Sequence, residues 1–297
     1  MTDLYPFKNN FLDLNGLQYH YLDEGNGNPV VMVHGNPSWS FYYRDLAKSL
    51  REHYRVIVPD HIGCGLSDKP GDDTYSYTLK QRVDDLESLL DQLEVRSRIT
   101  LVVHDWGGMI GMAYASRHPE RIARLVILNT AAFHLPAGKA FPLALKICRN
   151  TAFGAFLVQQ LNMFALLAAR VGCKRHPLSP AIRGAYCAPY DTPANRIATL
   201  RFVQDIPLKP EDPGYALISE IESGLERFAT LPMMICWGLK DFVFDVHFLN
   251  EWQRRFPHAE VHAFADCGHY ILEDAKDEVI PLITQFLAAH PINGKTP

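Results

Sequence analysis

The chain has 297 residues, of which 47% are hydrophobic and 21% charged, with a formal net charge of −4. This balance suits one large globular α/β domain with room for an insertion and a sizeable core. The mild acidity, with a sequence pI near 6.3 and no basic run, excludes the electrostatic footprint of a nucleic-acid-binding protein.

Residues 1–11 lack the basic start and apolar run of a signal peptide, so a cytoplasmic location is expected. Cys64, Cys148, Cys173, Cys187, Cys236 and Cys267 are scattered without a C-x-x-C pair and are expected to be free thiols. No His, Cys or carboxylate group has metal-ligand spacing, and neither metal nor cofactor is expected.

Residues 11–14 and 17–22 alternate around Asn15-Gly16 and predict a hairpin. Short apolar runs follow at 29–33, 55–58, 99–103, 125–128, 233–237 and 261–264. They read as strands buried on both faces, as a parallel sheet requires. Helical patterns lie between them. Residues 78–93 place Leu79, Val83, Leu86, Leu89, Leu90 and Leu93 on one face, with Thr78 as the cap. Residues 107–117 and 278–289 are the other two. The alternation predicts a right-handed parallel α/β sheet with an antiparallel edge at its start.

The rhythm breaks between Phe133 and Phe228, a proline-punctuated stretch rich in helix formers. It predicts a helical cap at 133–228, inserted between core segments 1–132 and 229–297. Residues 150–169 carry no charge and have the length of a bilayer span. Gln159, Gln160 and Asn162 at the centre are unfavourable in lipid. One or two apolar helices over a hydrophobic pocket are expected instead, with contact of this stretch with a membrane surface as the alternative.

Ligands of open α/β sheets bind at the carboxyl ends of the strands. The segment Leu101-Val102-Val103-His104-Asp105-Trp106-Gly107-Gly108 runs from a strand into a helix with Asp105 at the apex. Such a turn is the nucleophile elbow of the α/β-hydrolase fold, usually built around serine. Val103 stands where a small residue usually lets the turn close. Asp241 follows the run 233–237, and His269 follows the last strand in Cys267-Gly268-His269-Tyr270. The order nucleophile, acid, histidine is that of the fold. A carboxylate nucleophile forms an ester with a carbon centre. His269 would move protons, and Asp241 would hold its tautomer. Asp245, four residues on, competes for the acid's place or caps the next helix.

Trp106 and Asn36 offer an indole N–H and a carboxamide N–H to a departing anion. Their backbone amides would hold the Asp105 carboxylate. His34 and His104 read as structural, and Asp60-His61-Ile62-Gly63-Cys64-Gly65 as a supporting loop.

Taken together, His34-Gly35-Asn36-Pro37, His104-Asp105-Trp106-Gly107-Gly108 and Gly268-His269 resemble the haloalkane dehalogenase superfamily. Epoxide hydrolases share the aspartate elbow but carry an aromatic residue at the place of Asn36. They also need cap tyrosines, for which Tyr186, Tyr190 and Tyr215 are candidates. No acid follows Leu128-Asn129-Thr130, which resembles the subfamilies that place it after the later strand. The loop 60–70 and the cap stretch 190–208 look most like the β-lactone decarboxylases of bacterial long-chain olefin biosynthesis. That resemblance implies conversion of a cis-3,4-dialkyl β-lactone to a cis-alkene and carbon dioxide, begun by attack of Asp105 either on the alkoxy carbon or on the carbonyl, the latter giving an anhydride. It also implies association with a β-lactone synthetase and other pathway enzymes. Haloalkane hydrolysis through an alkyl-Asp105 ester is the alternative, followed by epoxide hydrolysis and by a non-catalytic receptor role.

Overall fold

A computed structural model describes residues 4–292. Its centre is one eight-stranded sheet. The strands are β1 (Asn10–Leu14), β2 (Leu17–Glu24), β3 (Pro29–Val33), β4 (Arg55–Pro59), β5 (Ile99–Asp105), β6 (Ile122–Thr130), β7 (Met233–Gly238) and β8 (Glu260–Phe264). The spatial order is β1-β2-β4-β3-β5-β6-β7-β8. β1 pairs with β2, and β2 with β4, in antiparallel fashion; the remaining pairs are parallel. This is the α/β-hydrolase architecture.

Helices α1 (Arg44–Leu50), α2 (Leu79–Gln92) and α3 (Trp106–Arg117) precede the insertion. The Thr78 hydroxyl caps α2 by accepting the Gln81 amide at 3.3 Å. Between β6 and β7 the chain forms only helices: α4 (Leu143–Asn150), α5 (Ala152–Gln159), α6 (Met163–Val171), α7 (Pro180–Cys187), α8 (Ile197–Gln204) and α9 (Tyr215–Gly224). Helices α10 (Val246–Arg255), α11 (Ile271–Asp274) and α12 (Lys276–Ala289) complete the layers. All six cysteines are free thiols.

Two strands differ from the sequence expectation. β8 lies at the sheet edge and is half-exposed rather than buried on both faces. β6 begins three residues before its apolar run because Arg124 interrupts the pattern while pointing inward. Its guanidinium donates to Thr100 Oγ1 at 2.9 Å and to the Leu287 and His290 carbonyls at 2.8 Å each. Two of those acceptors are at the C-terminal end of α12, where a cation satisfies otherwise unpaired carbonyls.

The uncharged stretch 150–169 is two helices. α5 and α6 meet at 71°, and no single helix among the described residues is long and apolar enough to cross a membrane. The break has specific causes. Asn162 takes the left-handed conformation at φ 54°. Arg196, nearly buried, donates to the Gln159 and Gln160 carbonyls at 3.1 and 2.8 Å. A cation thus terminates α5.

The elbow closes despite Val103. α3 passes the end of β3 so closely that a Cβ on Gly107 would lie 1.9 Å from the Val33 carbonyl oxygen. One turn on, a Cβ on Gly111 would meet Val103 Cγ1 at 2.7 Å. The space that a small residue normally leaves on the strand is left here on the helix. Gly111→Ala is expected to cost about 1–3 kcal/mol through overpacking. Adding Val103→Ala should recover part of that loss. Urea unfolding of the two single variants and the double variant measures it; strict additivity would show that the two sites do not touch.

Candidate active site

Asp105 ends β5 and begins α3 with φ 52° and ψ −128°, a conformation costly for a residue with a Cβ. The Thr130 hydroxyl at the end of β6 donates to the Asp105 carbonyl and anchors the turn. The Asn36 amide, just past β3, donates to Asp105 Oδ1 at 2.6 Å. The Trp106 amide also favours the carboxylate. Asp105 is 8% exposed. Burial pushes its pKa above the ordinary 3.8, against the opposing pull of His269 and the two amides.

His269 follows β8 and turns its ring between two carboxylates. Nδ1 lies 2.7 Å from Asp241 Oδ2, and Nε2 lies 3.6 Å from Asp105 Oδ2. Burial disfavours the imidazolium, yet Asp241 and Asp105 prevail and raise the pKa above 6.5. Phe244 stacks against the ring, with centroids 5.9 Å apart. Asp241 is buried, and its other oxygen accepts the Val243 amide at 2.8 Å. Asp245 sits elsewhere: it caps α10 by accepting the His247 amide at 3.0 Å and pairs with Lys139 at 2.8 Å.

Asn129 was absent from the sequence-derived set. Its Nδ2 donates to Asp241 Oδ2 and to the Gly238 carbonyl, both at 3.1 Å. Its Oδ1 accepts the Gly238 amide at 2.8 Å. A neutral amide therefore occupies the end of β6 and fixes the acid that comes from β7. The only sequence signal was its place directly after an apolar strand run.

Asn36 departs partly from expectation. Its carboxamide donates to the Thr199 carbonyl of α8 at 3.0 Å, and Oδ1 is buried without a partner. One N–H is thus spent on the cap, leaving the second for an anion. Trp106 lines the same cavity, and its ring meets Phe202 of α8 edge-on at 5.4 Å. The cap therefore sets the orientation of both groups.

His34 and His104 are buried behind the site. His34 bonds the Gly35 carbonyl at 2.8 Å, and His104 bonds the His269 carbonyl at 2.9 Å. Burial lowers the pKa of each, which keeps both neutral. The 60–65 loop braces the β3 turn. Burial opposes ionisation of Asp60, but His20 at 2.8 Å and other donors hold its pKa at about 2. That carboxylate accepts the Ser40 and Leu66 amides at 2.6 and 2.9 Å. Among the described residues no cluster of three metal-ligating side chains is present.

A cavity of about 520 Å³ lies between the cap and the sheet. Asp105, His269, Asn36 and Trp106 form its polar end. The rest is mostly apolar, with Met109 and Phe248 from the core and Phe133, Leu157, Phe164 and Val203 from the cap, although His134 and Lys139 also line it. Tyr186, Tyr190 and Tyr215 do not line it. The Tyr186 hydroxyl is committed to Glu273 at 2.6 Å, and Tyr190 is fully buried. The cap-tyrosine requirement of epoxide opening is unmet by these three residues.

Comparison with known proteins shows the family. The family model for the alpha/beta hydrolase fold matches residues 28–276. A cis-3-alkyl-4-alkyloxetan-2-one decarboxylase of Shewanella oneidensis is 65% identical over 97% of this chain and 90% of its own. Another of that name, from Xanthomonas campestris, is 47% identical over 97% of this chain and 98% of its own. The crystal structure of the haloalkane dehalogenase DatA of Agrobacterium tumefaciens superposes with a TM-score of 0.86 at 25% identity, covering 98% of this chain and 100% of that one. The chain belongs to the α/β-hydrolase family, within its haloalkane-dehalogenase-like superfamily and beside the cis-3-alkyl-4-alkyloxetan-2-one decarboxylases.

Proposed function

We propose that this chain is a β-lactone decarboxylase, a carbon–carbon lyase converting a cis-3-alkyl-4-alkyloxetan-2-one into a cis-alkene and carbon dioxide. The observation that carries the reading is the near-full-length identity to enzymes of that name. The aspartate elbow alone is shared with haloalkane dehalogenases. The apolar cavity above Asp105 suits a substrate with two alkyl chains.

Asp105 attacks the ring carbon bearing the alkoxy oxygen. The C–O bond of the strained ring breaks, and its electrons become a free carboxylate on the neighbouring carbon. That carboxylate leaves as carbon dioxide. The electrons of the broken C–C bond form the alkene, and Asp105 is expelled as a carboxylate. Atoms and charge balance without water or a net proton. Inversion followed by anti elimination preserves the cis geometry.

Asn36 and Trp106 hold the new carboxylate with neutral donors. A cation there would anchor it against loss, whereas an apolar surround favours dispersal of its charge. The imidazolium of His269 stabilises the departing Asp105, and Asp241, fixed by Asn129, orients the ring. In the alternative chemistry neutral His269 would instead activate water against the alkyl ester. The proposal also places the enzyme in the cytoplasm, assembled with the β-lactone synthetase that closes its substrate ring.

Incubation with a cis-dialkyl β-lactone and, separately, with a bromoalkane is expected to give alkene from the first and negligible halide from the second. Fast halide release with an inert lactone would contradict the assignment. Asp105→Asn should abolish alkene formation, a loss of about 10⁴-fold or more. Because burial raises the Asp105 pKa, its ionised form is disfavoured in the folded state above that pKa. The same variant should therefore melt no lower than the parent at alkaline pH. Residual turnover would move the nucleophile elsewhere.

The pH profile follows from the two shifts. Alkene formation should fail at low pH as Asp105 is protonated, with a limb above 3.8. It should fall again as pH rises through the raised His269 pKa, above 6.5, when the imidazolium is lost. A rate for the lactone that climbs through this second pKa would show that neutral His269 is needed, as in ester hydrolysis.

A further inference from the structure

The apolar lining of the cavity continues onto the outer surface of the cap. Ile147, Phe153, Leu167 and Phe242 both line the cavity and are exposed, so they form its mouth. Around them lie apolar side chains with no part in the cavity: Leu143 is 71% exposed, Phe156 50%, Leu161 49% and Leu166 39%. α4, α5 and α6 carry nearly all of them, and the three helices pack in series. Apolar surface of this extent marks a contact site.

The segment that carries this surface has charge of one sign. Residues 133–190 contain seven Lys and Arg and no Asp or Glu, in a chain whose net charge is −4. Lys139, Arg149 and Arg175 pair with acids from other segments. Lys146 on α4, Arg170 on α6 and Lys174 just beyond it are exposed and make no ion pair among the described residues. Lys240, two residues before Phe242, is likewise exposed.

We infer that the α4–α6 face docks on an anionic lipid bilayer, with its apolar side chains in the acyl boundary and its cations at the phosphates. Exposed apolar residues beside unpaired cations are the pattern of an interfacial helix. A second copy of the chain fits less well, because a two-fold contact on this face would set like charges against each other. α5 and α6 meet at 71°, so the two do not form one straight span. The benefit of docking rests on the β-lactone reading: the mouth would open onto the phase in which a dialkyl lactone is dissolved. The docking itself stands on exposure and charge.

The test is flotation of the full chain with phosphatidylglycerol/phosphatidylethanolamine vesicles and, separately, with phosphatidylcholine vesicles. Strong binding to the first alone, weakened by salt, is expected. The triple variant Leu143→Ser, Phe156→Ser, Leu166→Ser should bind about tenfold less or weaker still. Lys146→Glu should weaken binding to the anionic vesicles about fivefold or more. The triple variant should turn over a short, water-soluble β-lactone within about twofold of the parent, since surface changes away from the site are nearly neutral. Equal binding to both vesicle types, or binding to neither, overturns the inference. So does a parent dimer on sedimentation that the triple variant splits. Failure of the short-lactone assay in the parent would strike the decarboxylase reading and leave the docking result standing.

Discussion

A single carboxylate, held in a strained turn and nearly removed from water, dictates much of the surrounding structure. Asp105 occupies a backbone conformation that a residue with a Cβ adopts only when its neighbours compel it. The compulsion comes from the close crossing of α3 over the sheet, the Thr130 hydroxyl on the Asp105 carbonyl, and the Asn36 amide on the side chain. Burial then makes the charge costly. His269 and Asp241 answer that cost with a second buried charge and its counter-charge. The site is thus an alternating row of carboxylate, imidazole and carboxylate, braced by neutral groups on every side.

The neutral bracing has a chemical meaning. Asn129 fixes Asp241, while Asn36 and Trp106 line the cavity beside Asp105, and none of them carries charge. A cation beside Asn36 and Trp106 would pin the carboxylate that the proposed reaction forms there. The proposed reaction creates a carboxylate that must leave as a neutral gas. Uncharged donors and an apolar cavity let it do so, and the negative charge returns to Asp105 beside His269. The same neutral donors would suit a departing halide.

The strands of the sheet's centre were legible because burial on both faces leaves continuous apolar runs. β8 broke that rule as an edge strand, and the start of β6 was hidden by Arg124, whose inward cation serves the end of α12. Asp105, Asp241 and His269 could be picked out by their order and their places after strands, and the structure brings them together. Asn129 was passed over because its value depends on Asp241, 112 positions later in the chain. The bond from Asn36 to Thr199 spans 163 positions and ties the anion site to the cap. No local pattern carries such pairings. The cavity's extent depends on how six helices stack, which periodicity alone does not fix.

The central claim is that Asp105 leaves as it came, by cleavage of the bond between its oxygen and the substrate carbon, with no water consumed. Many turnovers of a cis-dialkyl β-lactone in oxygen-18 water, followed by mass analysis of the peptide containing Asp105, test this directly. Steady alkene release with an unlabelled Asp105 carboxylate is expected. Oxygen-18 in that carboxylate would mean that water attacks an Asp105 ester, and would contradict it.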